Sequence, residues 1–319
     1  MKTIRLGTRK SRLAMWQTAH VASLLKAHDS QIQVEIVPIV TLGDRITDRP
    51  LSELGGTAVF TKEIEAALLD GKCDVAVHSL KDLATVMPDG LELAAYLKRE
   101  DFRDVFVSAS GVSLRDLPKG SVIGTSSLRR IAMVRHFRPD LQVTSLRGNV
   151  PTRLLAVGKD VPDAKPYSGP ALAGTIMAAA GLKRLGFRGY VTDYLPTDLF
   201  LPAPGQGVIA LQTRADDTGI MTAVKALECT RTRTAAVAER TFLNVVEGGC
   251  RLPIGAFCMY SDTSIELCGV ILSLDGEKVV TGRYEGTDPL AVGRALAEQL
   301  LNNGGADILA QVNQTLDKG

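Results

Sequence analysis

The sequence predicts an α/β fold of two similar lobes followed by a third, α+β domain. Three observations lead there. Short apolar runs alternate with amphipathic segments through the first part of the chain; the pattern restarts near Asp104; and after about Leu227 it gives way to a helix and alternating strands. The chain has 319 residues, 45% of them apolar, enough for two or three cored domains and too many for a disordered polypeptide.

Residues 4–7 read as a strand. Ser11 is placed to cap the next helix, since a serine hydroxyl satisfies a free first-turn N–H. Ala14, Val21, Leu24 and Leu25 share one face of that helix. Residues 34–40, rich in β-branched side chains, predict a second strand; residues 62–69 predict a helix with Ile64, Ala67 and Leu68 at i, i+3 and i+4; residues 73–77 predict a third strand. This alternation argues for a largely parallel sheet. In the second lobe, residues 105–107, 121–124 and 142–145 read as strands, and Ser126-Ser127 opens a helix running to about His136. Gly7-Thr8-Arg9 and Gly124-Thr125-Ser126 each end a strand and open an arginine-bearing helix, which suggests like lobes facing a shared cleft.

Residues 158–169 read as a surface loop, and residues 201–207 as a turn-rich segment able to cross back between lobes. A helix over 235–246 leads to Gly248-Gly249-Cys250, and residues 264–272 and 278–284 predict an antiparallel sheet. Two helices close the chain, one carrying Val292, Leu296 and Leu300, the other Ile308, Leu309 and Val312, with Gly304 as the stop between them. The expected domains are 1–98 with 203–225, 99–202, and 226–319.

The formal charge is +2, from 37 basic and 35 acidic residues, so global charge gives no reason to invoke nucleic acid or a membrane surface. No stretch reaches the roughly 18 apolar residues of a membrane span, and the first residues lack an apolar signal core. Five cysteines, an odd number without a Cys-x-x-Cys pair, argue against a disulfide framework or structural zinc and favour a reducing cytoplasm. No metal is expected.

Three groups of residues carry chemistry. Arg9, Arg129, Arg130, Arg147 and Arg153 lie at strand–helix junctions or just after strands, where open α/β sheets border their ligand crevice. Several planar guanidiniums there suit a ligand with several carboxylates or phosphates; the alternative is a set of ordinary surface arginines. His78-Ser79-Leu80-Lys81-Asp82 follows a strand, so its polar groups emerge at that strand's end. A carboxylate there can stabilise a cation and exchange protons, or simply cap a helix beside a salt-bridging lysine. Glu247-Gly248-Gly249-Cys250-Arg251 offers a thiol on an open loop beside a cation, suited to a nucleophile or covalent anchor; a lone cysteine is otherwise an apolar filler, the role expected of Cys73, Cys258 and Cys268.

Together these segments resemble the porphobilinogen deaminase (hydroxymethylbilane synthase) family. The matches are Thr8-Arg9-Lys10-Ser11, Leu13-Ala14-Met15-Trp16-Gln17, His78-Ser79-Leu80-Lys81-Asp82, Gly124-Thr125-Ser126-Ser127-Leu128-Arg129-Arg130, Ser145-Leu146-Arg147-Gly148-Asn149, Thr152-Arg153-Leu154, Gly181-Leu182-Lys183-Arg184, Gly205-Gln206-Gly207 and Glu247-Gly248-Gly249-Cys250. They run in the family's order across nearly the whole chain. The resemblance implies two domains like those of type II periplasmic solute-binding proteins, then a C-terminal α+β domain. It implies a transferase of haem and tetrapyrrole biosynthesis, a cytoplasmic monomer acting on porphobilinogen, with a dipyrromethane cofactor held by a thioether to Cys250. By the same resemblance Asp82 and Lys81 are catalytic; Arg129, Arg130, Ser127 and Lys81 hold the cofactor; and Arg9, Ser11, Gln17, Arg147, Arg153 and Arg184 bind substrate. The chain departs from the family at Thr57-Ala58, in the loop expected to cover the site, at Leu83-Ala84, Arg12, Phe102, Pro204 and Thr232-Arg233, and in an apparent insertion over 158–170. A solute-binding protein for a polycarboxylate and an inactive cofactor-binding paralogue are the alternatives.

Overall fold

A computed structural model describes residues 2–45, 61–162, 164, 167–246, 252–261 and 263–317. In chain order the first elements are β1 (Lys2–Arg9), α1 (Arg12–His28), β2 (Ile32–Ile39), α2 (Leu42–Arg45), α3 (Lys62–Leu69), β3 (Val75–Ser79) and β4 (Leu91–Tyr96). Then come β5 (Asp104–Ser108), β6 (Val122–Gly124), α4 (Leu128–Phe137), β7 (Gln142–Thr144), α5 (Val150–Leu155), β8 (Gly174–Ala178), α6 (Ala179–Arg184) and β9 (Asp193–Tyr194). The last are β10 (Ile209–Arg214), α7 (Thr218–Lys225), α8 (Thr230–Val245), β11 (Ile254–Tyr260), β12 (Ile265–Leu272), β13 (Val279–Gly286), α9 (Pro289–Leu300) and α10 (Ala306–Asp317). None of the described helices is long and apolar enough to cross a membrane.

Backbone contacts divide the chain into two compact units, residues 1–100 with 207–236, and 101–206 with 237–319. The first contains a five-stranded sheet of order β2-β1-β3-β10-β4. The second contains a five-stranded sheet of order β7-β6-β8-β5-β9 and the three-stranded sheet β11-β12-β13. The two larger sheets are built alike. In each, one strand pairs in parallel with two neighbours, β1 with β2 and β3 and β6 with β7 and β8, and another pairs antiparallel with one of those neighbours and with the edge strand beyond it, β10 with β3 and β4 and β5 with β8 and β9. The expected likeness of the lobes is thus present, but the sheets are less parallel than the alternation suggested. The strand expected over residues 105–107 is β5, but no local signal marked its antiparallel pairing, and β10 was not expected as a strand at all.

The same chemistry ends β1 and β6. A Cβ on Gly7 would lie 2.6 Å from Cys73 Sγ, and one on Gly124 would lie 2.5 Å from Leu172 Cδ1, so any other residue at either position would have to displace these neighbours. The next residues, Thr8 and Thr125, are buried. Ser11 and Ser127 then take the N-cap positions of α1 and α4. The Ser11 hydroxyl accepts from the Ala14 N–H at 3.3 Å, as the sequence predicted, whereas Ser127 makes no such side-chain bond.

In the first unit, Val21 and Leu25 of α1 pack on Ile4, Leu6, Val75 and Val77. In the second, Phe106, Ile123, Met133 and Ile176 share a cluster with Val270 and Leu272 of β12. The antiparallel third sheet includes β11, which the sequence reading passed over. Val292, Leu296, Leu300, Ile308, Leu309 and Val312 are all buried, and Gly304 has φ +101°, consistent with the stop placed there. The turn between β12 and β13 meets the end of α4: His136 Nδ1 lies 2.9 Å from Gly276 O, and Arg135 Nη1 donates to Leu274 O at 2.7 Å. Gly276 has φ +77°, and a Cβ there would lie 2.6 Å from both Ala132 O and His136 N. Gly276→Ala is therefore expected to cost about 2 kcal/mol. A urea unfolding midpoint equal to that of the unaltered chain would reject this account.

Candidate active site

In the first unit the ends of β1 and β3 and the start of α1 surround an open pocket lined among others by Arg9, Ser11, Gln17, His78, Ser79 and Asp82. Parallel strands side by side deliver these groups to one edge. Gln17 is buried, and its Nε2 donates to Ser79 Oγ at 2.9 Å, tying α1 to the end of β3. Lys81 and Asp82 lie in a 3-10 turn, Leu80–Asp82, closed by the Leu83 N–H donating to Leu80 O at 3.1 Å. Both side chains are half-buried, while Leu80 and Leu83 are buried and anchor the turn from below. Leu83 thus holds the turn by packing.

His78 points into a buried polar chain that sequence reasoning missed. Its Nε2 lies 3.0 Å from Gln212 Oε1, and Gln212 Nε2 donates to Glu65 Oε1 at 3.2 Å. The amide nitrogen faces the carboxylate, so the amide oxygen accepts and His78 carries its proton on Nε2. Burial pushes the His78 pKa down to about 4, leaving a neutral imidazole on the pocket wall at pH 7. Nothing in the sequence links His78 to a glutamine on a strand added much later.

In the second unit, Arg129 and Arg130 open α4 and are only 4% exposed. Both hold Asp104 of β5. Arg129 Nη1 donates to Oδ2 at 2.7 Å, and Arg130 Nη2 donates to Oδ1 at 2.8 Å. The two guanidiniums keep the Asp104 carboxyl well below the usual carboxylate range, overcoming the opposing effect of burial. Sequence reasoning gave Asp104 no role at the site. Ser126 and Ser145 share a hydroxyl hydrogen bond of 2.8 Å, joining the segments after β6 and β7. Asn149 caps α5, and Arg153 Nε donates to Gly148 O at 3.0 Å. Arg147 is half-buried; its Nη1 and the Nε of Arg130 are buried nitrogens without a hydrogen-bond partner. Arg184 ends α6, half-buried.

The structure thus gathers Arg9, Ser11, Gln17 and Asp82 around one pocket, with Lys81 beside Asp82 in its turn. It gathers Ser127, Arg129 and Arg130 at the start of α4. Cys250 with its Gly-Gly loop, and Thr57-Ala58, lie outside the described residues. Of the described cysteines, Cys73 and Cys258 are buried and Cys229 and Cys268 half-buried. Burial pushes the Cys73 thiol up to about 11, which makes it unreactive and fits the filler role. Phe102, one of the departures noted above, stacks on Phe257 of β11 at 3.6 Å between ring centroids.

These groups, carried where strands end and helices begin, mark an α/β protein built on two like sheets. Comparison with known proteins is more specific. Residues 4–222 match the porphobilinogen deaminase, dipyromethane cofactor binding domain, and residues 233–302 match the porphobilinogen deaminase, C-terminal domain. The chain belongs to the porphobilinogen deaminase family. It is 45% identical to porphobilinogen deaminase of Syntrophomonas wolfei over 98% of this chain and 100% of the relative. It is 46% identical to that of Geobacter sulfurreducens over 98% and 96%. Similar solved structures include the substrate binding domain of a putative molybdenum ABC transporter from Clostridium difficile, 8% identical with a TM-score of 0.43 over 73% of this chain and 94% of that one. Another is the BenM effector binding domain with benzoate, 16% identical with a TM-score of 0.41 over 71% and 90%.

Proposed function

We propose that this chain condenses four molecules of porphobilinogen into the linear tetrapyrrole hydroxymethylbilane, as the hydroxymethylbilane synthase of a tetrapyrrole pathway. The observation that carries the reading is the Asp82 carboxylate on the wall of the pocket that Arg9 also lines. Each coupling breaks the aminomethyl C–N bond, forms a C–C bond between pyrroles, and releases one ammonia and one pyrrole proton. Departure of ammonia leaves positive charge on the substrate pyrrole. Asp82 faces that charge as a fixed anion and accepts or returns the proton, with Lys81 beside it. Arg9 and the Ser11 hydroxyl take a substrate carboxylate, and Gln17, pinned to Ser79, sets the pocket wall. Arg147, Arg153 and Arg184 take further acetate and propionate groups.

The donor set of the second unit fits a dipyrromethane. Its acidic side chains need cations and N–H donors, and the buried, unpartnered Nε of Arg130 is such a donor. When bound, this group supplies the pyrrole carbon to which the first substrate is joined. Cys250 would hold it by a thioether, with Ser127, Arg129, Arg130 and Lys81 at its carboxylates. The same reading divides the chain at 1–98 with 203–225, 99–202 and 226–319, and sets it in the cytoplasm as a monomer.

Intact mass tests this. After exposure to porphobilinogen the unaltered chain should carry a two-pyrrole adduct that Cys250→Ser lacks. An unaltered chain that gains no adduct and consumes no porphobilinogen would leave only a binding protein.

A further inference from the structure

We propose that Asp104 is a positioning residue for the anion site: it fixes the orientation and the net charge of the Arg129–Arg130 pair. The inference rests on the function proposed above and deepens it.

Adjacent residues on a helix do not face one another, so α4 by itself does not bring these two guanidiniums together. They converge because one carboxylate takes both, Oδ2 from Arg129 and Oδ1 from Arg130. Each oxygen is thus assigned to one arginine, and neither head can rotate without breaking its bond. Backbone carbonyls hold both heads as well. Arg129 Nη1 also donates to Leu201 O at 2.7 Å, and Arg130 Nη1 donates to Ile176 O at 3.0 Å. Asp104 is itself held by Gln206, whose Nε2 donates to Oδ1 at 2.9 Å and to Phe102 O at 2.7 Å.

The energetics point the same way. Two like charges, nearly buried, sit in the first turn of a helix, where the macrodipole also opposes cations. Asp104, fully buried, cancels one of them. One net positive charge remains, with the Arg130 Nε–H still to be satisfied. That residue of charge and that donor suit a single ligand carboxylate. Without Asp104 the pair would carry two charges and no common reference point.

Asp104→Asn keeps the shape and removes the charge. The test is the loading of cofactor-free chain by porphobilinogen, followed by intact mass. The half-saturating porphobilinogen concentration is expected to rise about tenfold, as for loss of one charge-assisted hydrogen bond. The limiting loading rate should be little changed. Gln206→Leu, which leaves both arginines and Asp104 in place, should raise the same concentration about threefold. It also serves if Asp104→Asn does not fold. A lowered thermal midpoint with unaltered half-saturation, in Asp104→Asn or in Gln206→Leu if only that folds, would show a purely structural ion cluster and overturn the proposal. Absence of loading in the unaltered chain would overturn this inference and the proposed function together, whereas normal loading there with unaltered half-saturation in the variants overturns this inference alone.

Discussion

Asp82→Asn should lower turnover by about a hundredfold or more while leaving the thermal midpoint close to that of the unaltered chain. The asparagine has the same outline but cannot stay anionic or carry a proton between couplings. Two features separate this from a folding defect. Asp82 is half-buried, and its turn is held by the buried Leu80 and Leu83 and the Leu83–Leu80 backbone bond. The fold therefore has little to lose at this position, and the chemistry has most to lose. Single-turnover measurements on cofactor-loaded protein are the direct check. If the variant couples porphobilinogen at more than a tenth of the normal rate, the carboxylate is not the group that manages the cation.

The second large effect concerns pH. In the unfolded chain His78 titrates near 6.5, the ordinary histidine value, whereas in the fold burial moves it to about 4. Between those values the unfolded chain binds a proton that the folded chain does not. Stability from this group is therefore complete above pH 6.5 and is lost as pH falls toward 4, by roughly 3 kcal/mol in all. Asp74 and Asp101 have carboxyls lowered below their ordinary value, where hydrogen bonds from Arg5 and Arg103 outweigh burial, so their contributions fade only at lower pH. The window from about pH 6.5 to 4.5 thus belongs mainly to His78. Urea midpoints measured across it should decline for the unaltered chain and stay nearly level for His78→Gln. A level profile in both would mean that His78 is solvated or already charged.

What could be read in advance divides along physical lines. Local signals were legible: the Ser11 cap, the i, i+3, i+4 spacing of Ile64, Ala67 and Leu68, the Gly304 stop, and the twin strand ends at Gly7 and Gly124. Each depends on neighbours within a few residues. Partnerships across the chain were not legible. Gln212 reaches His78 because β10 lies against β3, and Asp104 reaches both arginines because β5 joins the second sheet beside β8. No periodicity encodes those pairings. The arginines stood out as a cluster of cations near strand ends. Only the structure shows that two of them already share an internal carboxylate.

The place of β10 also bears on how the chain is made. It lies between β3 and β4 in the first sheet, yet it follows β4 by more than a hundred residues in sequence. At about 5–20 residues per second, a ribosome needs on the order of ten seconds to synthesise the intervening stretch. Until then β3 and β4 are two exposed edges with the strand between them missing, the kind of edge that pairs with other chains. The first lobe to emerge is therefore the one that must wait. A nascent chain interrupted anywhere before Ile209 leaves it with an open sheet, whatever the state of the lobe that follows.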